Sequence, residues 1–134
     1  SMERALKNDP QGLAQLFVQR GLDFEEKGDL VQAIDDYDTA LRISPGNAQV
    51  LYRQGLAFGK KGDLDRAISN FDEALRADAG FVDALYARGC AWANKCRFDL
   101  AIEDYDAILS LDPGNLQAMN SRKNILGKEF LAVA

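Results

Sequence analysis

The sequence predicts an all-α chain built as a solenoid of helical pairs. Three observations carry this. The stretch "AIDDYDTALRISPGN" begins at Ala33, "AISNFDEALRADAGF" at Ala67 and "AIEDYDAILSLDPGN" at Ala101, a constant step of 34 residues. Apolar residues inside each copy recur at steps of three and four, the period of one helical face. Between the two helical halves of the first two copies stands the same turn, "EKGDL" and then "KKGDL". A period of 20–50 residues is the signature of stacked supersecondary units that bury their apolar faces on one another.

The units divide the chain into residues 14–47, 48–81 and 82–115, with 1–13 ahead of them and 116–134 behind. In the middle unit Leu51, Gly55 and Phe58 form one face of a first helix. Leu64, Ala67, Ile68, Phe71, Ala74 and Leu75 form one face of a second. Gly62 suits a left-handed helix end and Asp63 a cap for the next helix. The third unit reads "NKCRF" here, so Cys96 takes the glycine place and carries a strain cost if that place is left-handed. Small residues at Gly21 and Ala33 and their 34-residue counterparts allow close helix approach. The aromatics at Phe24 and Tyr37 and their counterparts fill the space around it; by this register Trp92 is a core residue. Second helices stop at "SPGN" and "DPGN", where proline ends a helix and asparagine caps the next. The middle unit has "DAGF" instead, a softer junction.

At the far end, Leu116, Met119, Leu126 and Phe130 make an apolar stripe on a seventh helix running to about Ala132. Lys123 stands where each full unit has its glycine, so the expectation is a capping helix that shields the last unit. Its tail "EFLAVA" is less polar than a pure cap needs, which points either to packing on the last repeat or to contact with another chain. At the near end "RALKNDP" resembles "TALRISP". Residues 1–13 are therefore expected to hold the tail of a preceding repeat or an extension, and Ser1-Met2 to be a cloning remnant on a piece of a longer protein.

These motifs together resemble the tetratricopeptide repeat family over Ala14 to Asn115, three full units. The period and the acidity speak against the related RNA-binding pentatricopeptide design. The resemblance implies a right-handed superhelix whose concave groove is lined by the first helix of each pair. In that geometry the positions three before and one after each repeated glycine face the groove: Val18 and Leu22, Tyr52 and Leu56, Tyr86 and Cys90. Arg53 and Lys60 add positive charge, and Glu25, Glu26 and Asp83 negative charge. The function this implies is a non-catalytic scaffold for protein–protein interaction, holding a protein or peptide segment in the groove, with self-association through the array ends as the alternative.

One branch of the family clamps the C-terminal carboxylates of heat-shock chaperones. Its clamp takes a lysine and an asparagine where this chain has Val18 and Leu22. It takes an asparagine where Arg53 stands, and a lysine and an arginine where Asp83 and Ala87 stand. All five places depart, so acidic chaperone C-termini are expected to be refused.

Composition bounds the rest. Sixteen Lys and Arg against twenty-one Asp and Glu leave a charge of −5, which disfavours nucleic acid. No apolar run approaches the ~20 residues of a membrane span. There is no histidine and no phosphate loop, so no catalytic residue, cofactor or metal is expected. The acidic clusters Asp35, Asp36 and Asp38, Asp72 and Glu73, and Glu103, Asp104 and Asp106 are expected on a solvated convex face. Cys90 and Cys96 are expected as reduced thiols in a cytoplasmic setting.

Overall fold

The computed structural model describes residues 8–133, with side chains through residue 127. Seven helices follow in order: α1 (Pro10–Glu26), α2 (Leu30–Ile43), α3 (Ala48–Lys60), α4 (Leu64–Ala77), α5 (Val82–Asn94), α6 (Phe98–Leu111) and α7 (Leu116–Val133). The described chain is an all-α helical repeat, and α1·α2, α3·α4 and α5·α6 are its pairs. It divides after Asp78 into two compact units. α1 to α4 make the first, with α2 packed on α3 between the pairs; α5 to α7 make the second, with α6 packed on α7. The division falls at the softer "DAGF" junction. There Phe81 precedes α5 without a side-chain cap, whereas Asn47 before α3 accepts from the backbone N–H of Gln49 and Val50.

Each pair is closed by one repeated contact. Gly21, Gly55 and Gly89 are buried against the rings of Tyr37, Phe71 and Tyr105, sixteen residues further along the chain. A Cβ placed on Gly55 would stand 2.5 Å from Phe71 Cε1, and one on Gly89 2.7 Å from Tyr105 Cε1. Only a hydrogen leaves room for the ring. Phe71 and Tyr105 are 2% exposed and Tyr37 fully buried, and burying such a ring is worth about 1.5–3 kcal/mol. Ala33, Ala67 and Ala101 are buried at the start of each second helix, where a longer side chain would hold the helices apart.

The turns follow the expected chemistry. Gly28 and Gly62 take φ of 82° and 85°, and Asp29 and Asp63 then cap α2 and α4 through the backbone N–H of Gln32 and Arg66. In the third repeat Cys96 holds the same left-handed conformation at φ 59°, and Arg97 offers no side-chain cap.

Both ends differ from the sequence reading. α1 begins at Pro10, four residues ahead of the Ala14 boundary, and Asp9 caps it by accepting from the backbone N–H of Gly12. Residues 1–7 lie outside the described part, and so do the side chains of "EFLAVA". α7 is a helix as expected, but its described stripe does not shield the last repeat. Leu116, Met119 and Leu126 are 70%, 45% and 39% exposed, while Ala118 and Ile125 are buried. The reason is the helical phase. Ala118, Arg122 and Ile125 share the face turned to α6, where Arg122 Nε donates to Asp106 Oδ1 at 2.7 Å. Met119 and Leu126 lie on the side that carries Lys123. In the full repeats that side holds the glycine and meets the second helix of the pair.

Cys96 generates a direct test. A non-glycine residue in the left-handed region is strained, and glycine there costs extra chain entropy only in the unfolded state. Cys96→Gly is expected to raise stability by about 0.5–1 kcal/mol, read from urea unfolding with an unchanged slope. A lower midpoint would mean that the turn does not strain the cysteine.

Candidate functional site

The first helices present the residues singled out by register. In the first unit Val18 and Leu22 are half-buried and pack against a core of Ala14, Ala33, Tyr37, Ala40 and Val50. Tyr52 is half-buried, its ring tilted on Phe71 at 6.1 Å. Leu56 is half-buried and Arg53 exposed. In the second unit Tyr86 lies on Tyr105 at 5.8 Å, with its hydroxyl 3.1 Å from Ser121 Oγ of α7. Cys90 Sγ accepts from the Tyr105 hydroxyl at 3.5 Å. The apolar positions are thus each half-used by the core beneath them. The ring that wedges against the glycine also supports the aromatic on the outer face, in both Tyr52–Phe71 and Tyr86–Tyr105 pairs.

Charge in the first unit is arranged rather than scattered. Glu25 accepts from the Tyr37 hydroxyl at 2.5 Å and from Lys60 Nζ at 3.4 Å, so one carboxylate joins α1, α2 and α3. Burial pushes the Tyr37 hydroxyl up, and the Glu25 hydrogen bond and charge push it the same way, so it stays a donor. Burial likewise raises Tyr105, with the bond to Cys90 adding to it.

A polar series runs through the helix pairs. The residue just before each repeated glycine reaches a partner sixteen residues on. Arg20 donates through Nε and Nη2 to Asp36 at 2.8 and 2.7 Å. Arg88 does the same to Asp104 at 2.9 and 2.6 Å. In the middle repeat both charges are gone: Asn70 Nδ2 donates to Gln54 Oε1 at 2.7 Å, and Gln54 Nε2 donates to Asp38 at 2.6 Å and to the Ile34 carbonyl. This corrects the reading of the acidic clusters. Asp36 and Asp104 are 3% and 4% exposed; they sit between helices as fork-paired carboxylates, and Asp38 and Asp106 also bond across helices. Charged residues on helices usually face water, and here the partner sixteen residues away makes burial affordable through paired, charge-assisted bonds. The signal was in the sequence as the co-occurrence of Arg with Asp and of Gln with Asn at that spacing.

The aromatics expected in the core, Phe24, Phe58 and Trp92, are half-buried. An arginine guanidinium covers each: Arg20 at 6.0 Å, Arg66 at 5.8 Å and Arg97 at 5.9 Å. Among the described residues no cluster of three or more His, Cys, Asp or Glu side chains could hold a metal. No described helix is long and apolar enough to cross a membrane.

Two family models described as tetratricopeptide repeats match residues 52–115 and 21–62, together well over half of the chain. The chain belongs to the tetratricopeptide repeat family. Such repeats are protein–protein interaction modules. Solved structures share the fold. MamA aligns with a TM-score of 0.85 at 23% identity over 96% of this chain and 75% of its own. The first repeat domain of Spaghetti (RPAP3), bound to an HSP90 peptide, gives 0.81 at 24% over 89% and 93%. The second repeat domain of human RPAP3, in complex with an HSP70 peptide, gives 0.81 at 26% over 87% and 97%. No curated protein sequence matches the chain.

The middle tetratricopeptide repeat shows how to test the ion pairs. Arg20→Gln leaves the buried Asp36 carboxylate without its fork and is expected to lower the urea midpoint. Adding Asp36→Asn copies the Gln54–Asn70 pair and should recover most of the loss. A double variant no better than the single would mean that the carboxylate is not held by Arg20.

Proposed function

We propose that this protein is a non-catalytic interaction module that binds a partner segment through the outer face of its first helices. In the first unit the contact residues are Val18, Leu22, Tyr52, Arg53 and Leu56; Tyr86 and Cys90 hold the same register in the second. The observation that carries the reading is the repeated support of this face. Half-buried apolar side chains recur at one register, and the two tyrosines among them rest on rings fixed in the core. Rigid, partly exposed aromatics give contact area at little entropic cost, the usual make-up of an interaction hot spot.

The chemistry of the face favours an apolar-centred segment. Two relatives in fold are solved with chaperone peptides, but the positions that would grip a terminal carboxylate here are Val18 and Leu22, already packed on the core. A carboxylate brought against Val18 and Leu22 loses water and gains no donor.

Calorimetry with the peptide SRMEEVD is expected to show no binding at micromolar concentration. Micromolar binding that disappears when the peptide's C-terminus is amidated would overturn this specificity. For a segment mapped from a captured partner, Leu56→Glu is expected to weaken binding at least about tenfold, or ~1.4 kcal/mol. Unchanged affinity would place binding elsewhere than on the first-helix face.

A further inference from the structure

Glu25 holds a carboxylate that the repeat does not need. Its side chain is 12% exposed. In the 34-residue register its counterparts are Gly59 and Ala93. The Tyr37 hydroxyl that donates to it has no counterpart in Phe71, and the Tyr105 hydroxyl donates to Cys90 instead. The same contact of glycine and ring therefore closes in the other repeats without a carboxylate at this place. Removing a charge from water is costly unless the charge is well paired. Here the pairing is incomplete. Oε1 accepts from the Tyr37 hydroxyl at 2.5 Å, while among the described residues Oε2 has only Lys60 Nζ at 3.4 Å. The Lys60 side chain is 58% exposed, and an exposed lysine at that distance contributes little. Val18, Leu22 and Glu25 follow one another at steps of four and three along α1, so Glu25 ends the apolar face on that helix. Lys60 ends it on α3, four residues beyond Leu56.

We propose that Glu25 sets the specificity of the first-helix face by taking an arginine of the partner segment, beside the apolar residues seated on Leu22 and Leu56. The inference rests on the reading of that face as the binding surface. Arg20 on Asp36 shows the chemistry within the same unit: a guanidinium reaches a buried carboxylate through two bonds of 2.8 and 2.7 Å. An incoming arginine finds Oε2 held only by Lys60, which can swing into solvent. The surroundings draw a cation. Exposed Glu26 stands beside Glu25, and the chain carries −5 overall. Arg53 is the other cation nearby, its charge felt at the Tyr37 hydroxyl, and it is exposed, so it too can turn to water. The converse arrangement has Lys60 and Arg53 taking a carboxylate from the partner. That carboxylate would meet Glu25, which the Tyr37 hydroxyl holds in place, as a like charge.

The probes are peptides selected on the whole chain from a phage-displayed random dodecamer library, with counter-selection on Leu56→Glu. The selected peptides are expected to carry an arginine beside their apolar residues. One such peptide is then measured by fluorescence anisotropy. Replacing its arginine by citrulline, the neutral isostere, should weaken binding to the parent chain at least about tenfold and leave binding to Glu25→Gln unchanged. Glutamine keeps an acceptor for the Tyr37 hydroxyl, and circular dichroism that matches the parent confirms that the variant folds. Lys60→Met removes the competing lysine and should strengthen binding about threefold. If no selected peptide depends on Leu56, the first-helix reading falls and this inference with it. If the peptides depend on Leu56 but carry no arginine, that reading stands and the role of Glu25 is overturned. The role is overturned equally if citrulline costs as much on Glu25→Gln as on the parent, or if Lys60→Met weakens binding, which would make Lys60 the receptor for a partner carboxylate.

Discussion

The contact between a glycine on each first helix and an aromatic ring on each second helix sets the geometry of this protein. The ring occupies the volume of the missing side chain, so the two helix axes come closer than any other residue would permit. The consequences spread from there. Close approach places the residue before the glycine within reach of the second helix, where Arg20, Gln54 and Arg88 find Asp36, Asn70 and Asp104. It also fixes the far side of the ring as a platform for Tyr52 and Tyr86. Core packing, the buried polar pairs and the outer face of the first helices are therefore one construction, repeated at 34-residue intervals.

Much of this was legible in the sequence because it is periodic. Gly21, Tyr37 and their counterparts, the caps at Asp29, Asp63 and Asn47, and the left-handed turn at Cys96 are local or short-range features, and their residue types have specific backbone meanings. The reading failed where the meaning of a residue depends on its neighbour in space. Asp36 and Asp104 look like surface charges until Arg20 and Arg88 are seen to reach them. The α7 stripe looks like a cap until its phase is known: Ala118 and Ile125 face α6, and Met119 and Leu126 do not.

The first-helix face is built of side chains half-committed to the core, which limits how far they can adapt and favours a segment that fits a fixed relief.

The central claim is that the glycine is needed for contact and not merely tolerated. Two effects oppose each other at Gly55. Helix propensity favours alanine by about 1 kcal/mol in a helix interior, while a Cβ there would stand 2.5 Å from a ring that is itself 2% exposed. The most direct measurement is the urea unfolding of Gly55→Ala, alone and combined with Phe71→Leu. The account predicts that Gly55→Ala lowers stability despite its propensity gain. It also predicts that the double variant loses less than the sum of the two single losses, because the smaller side chain vacates the space the Cβ needs. A Gly55→Ala chain that is as stable as the parent or more so, with strictly additive losses in the double variant, would contradict it.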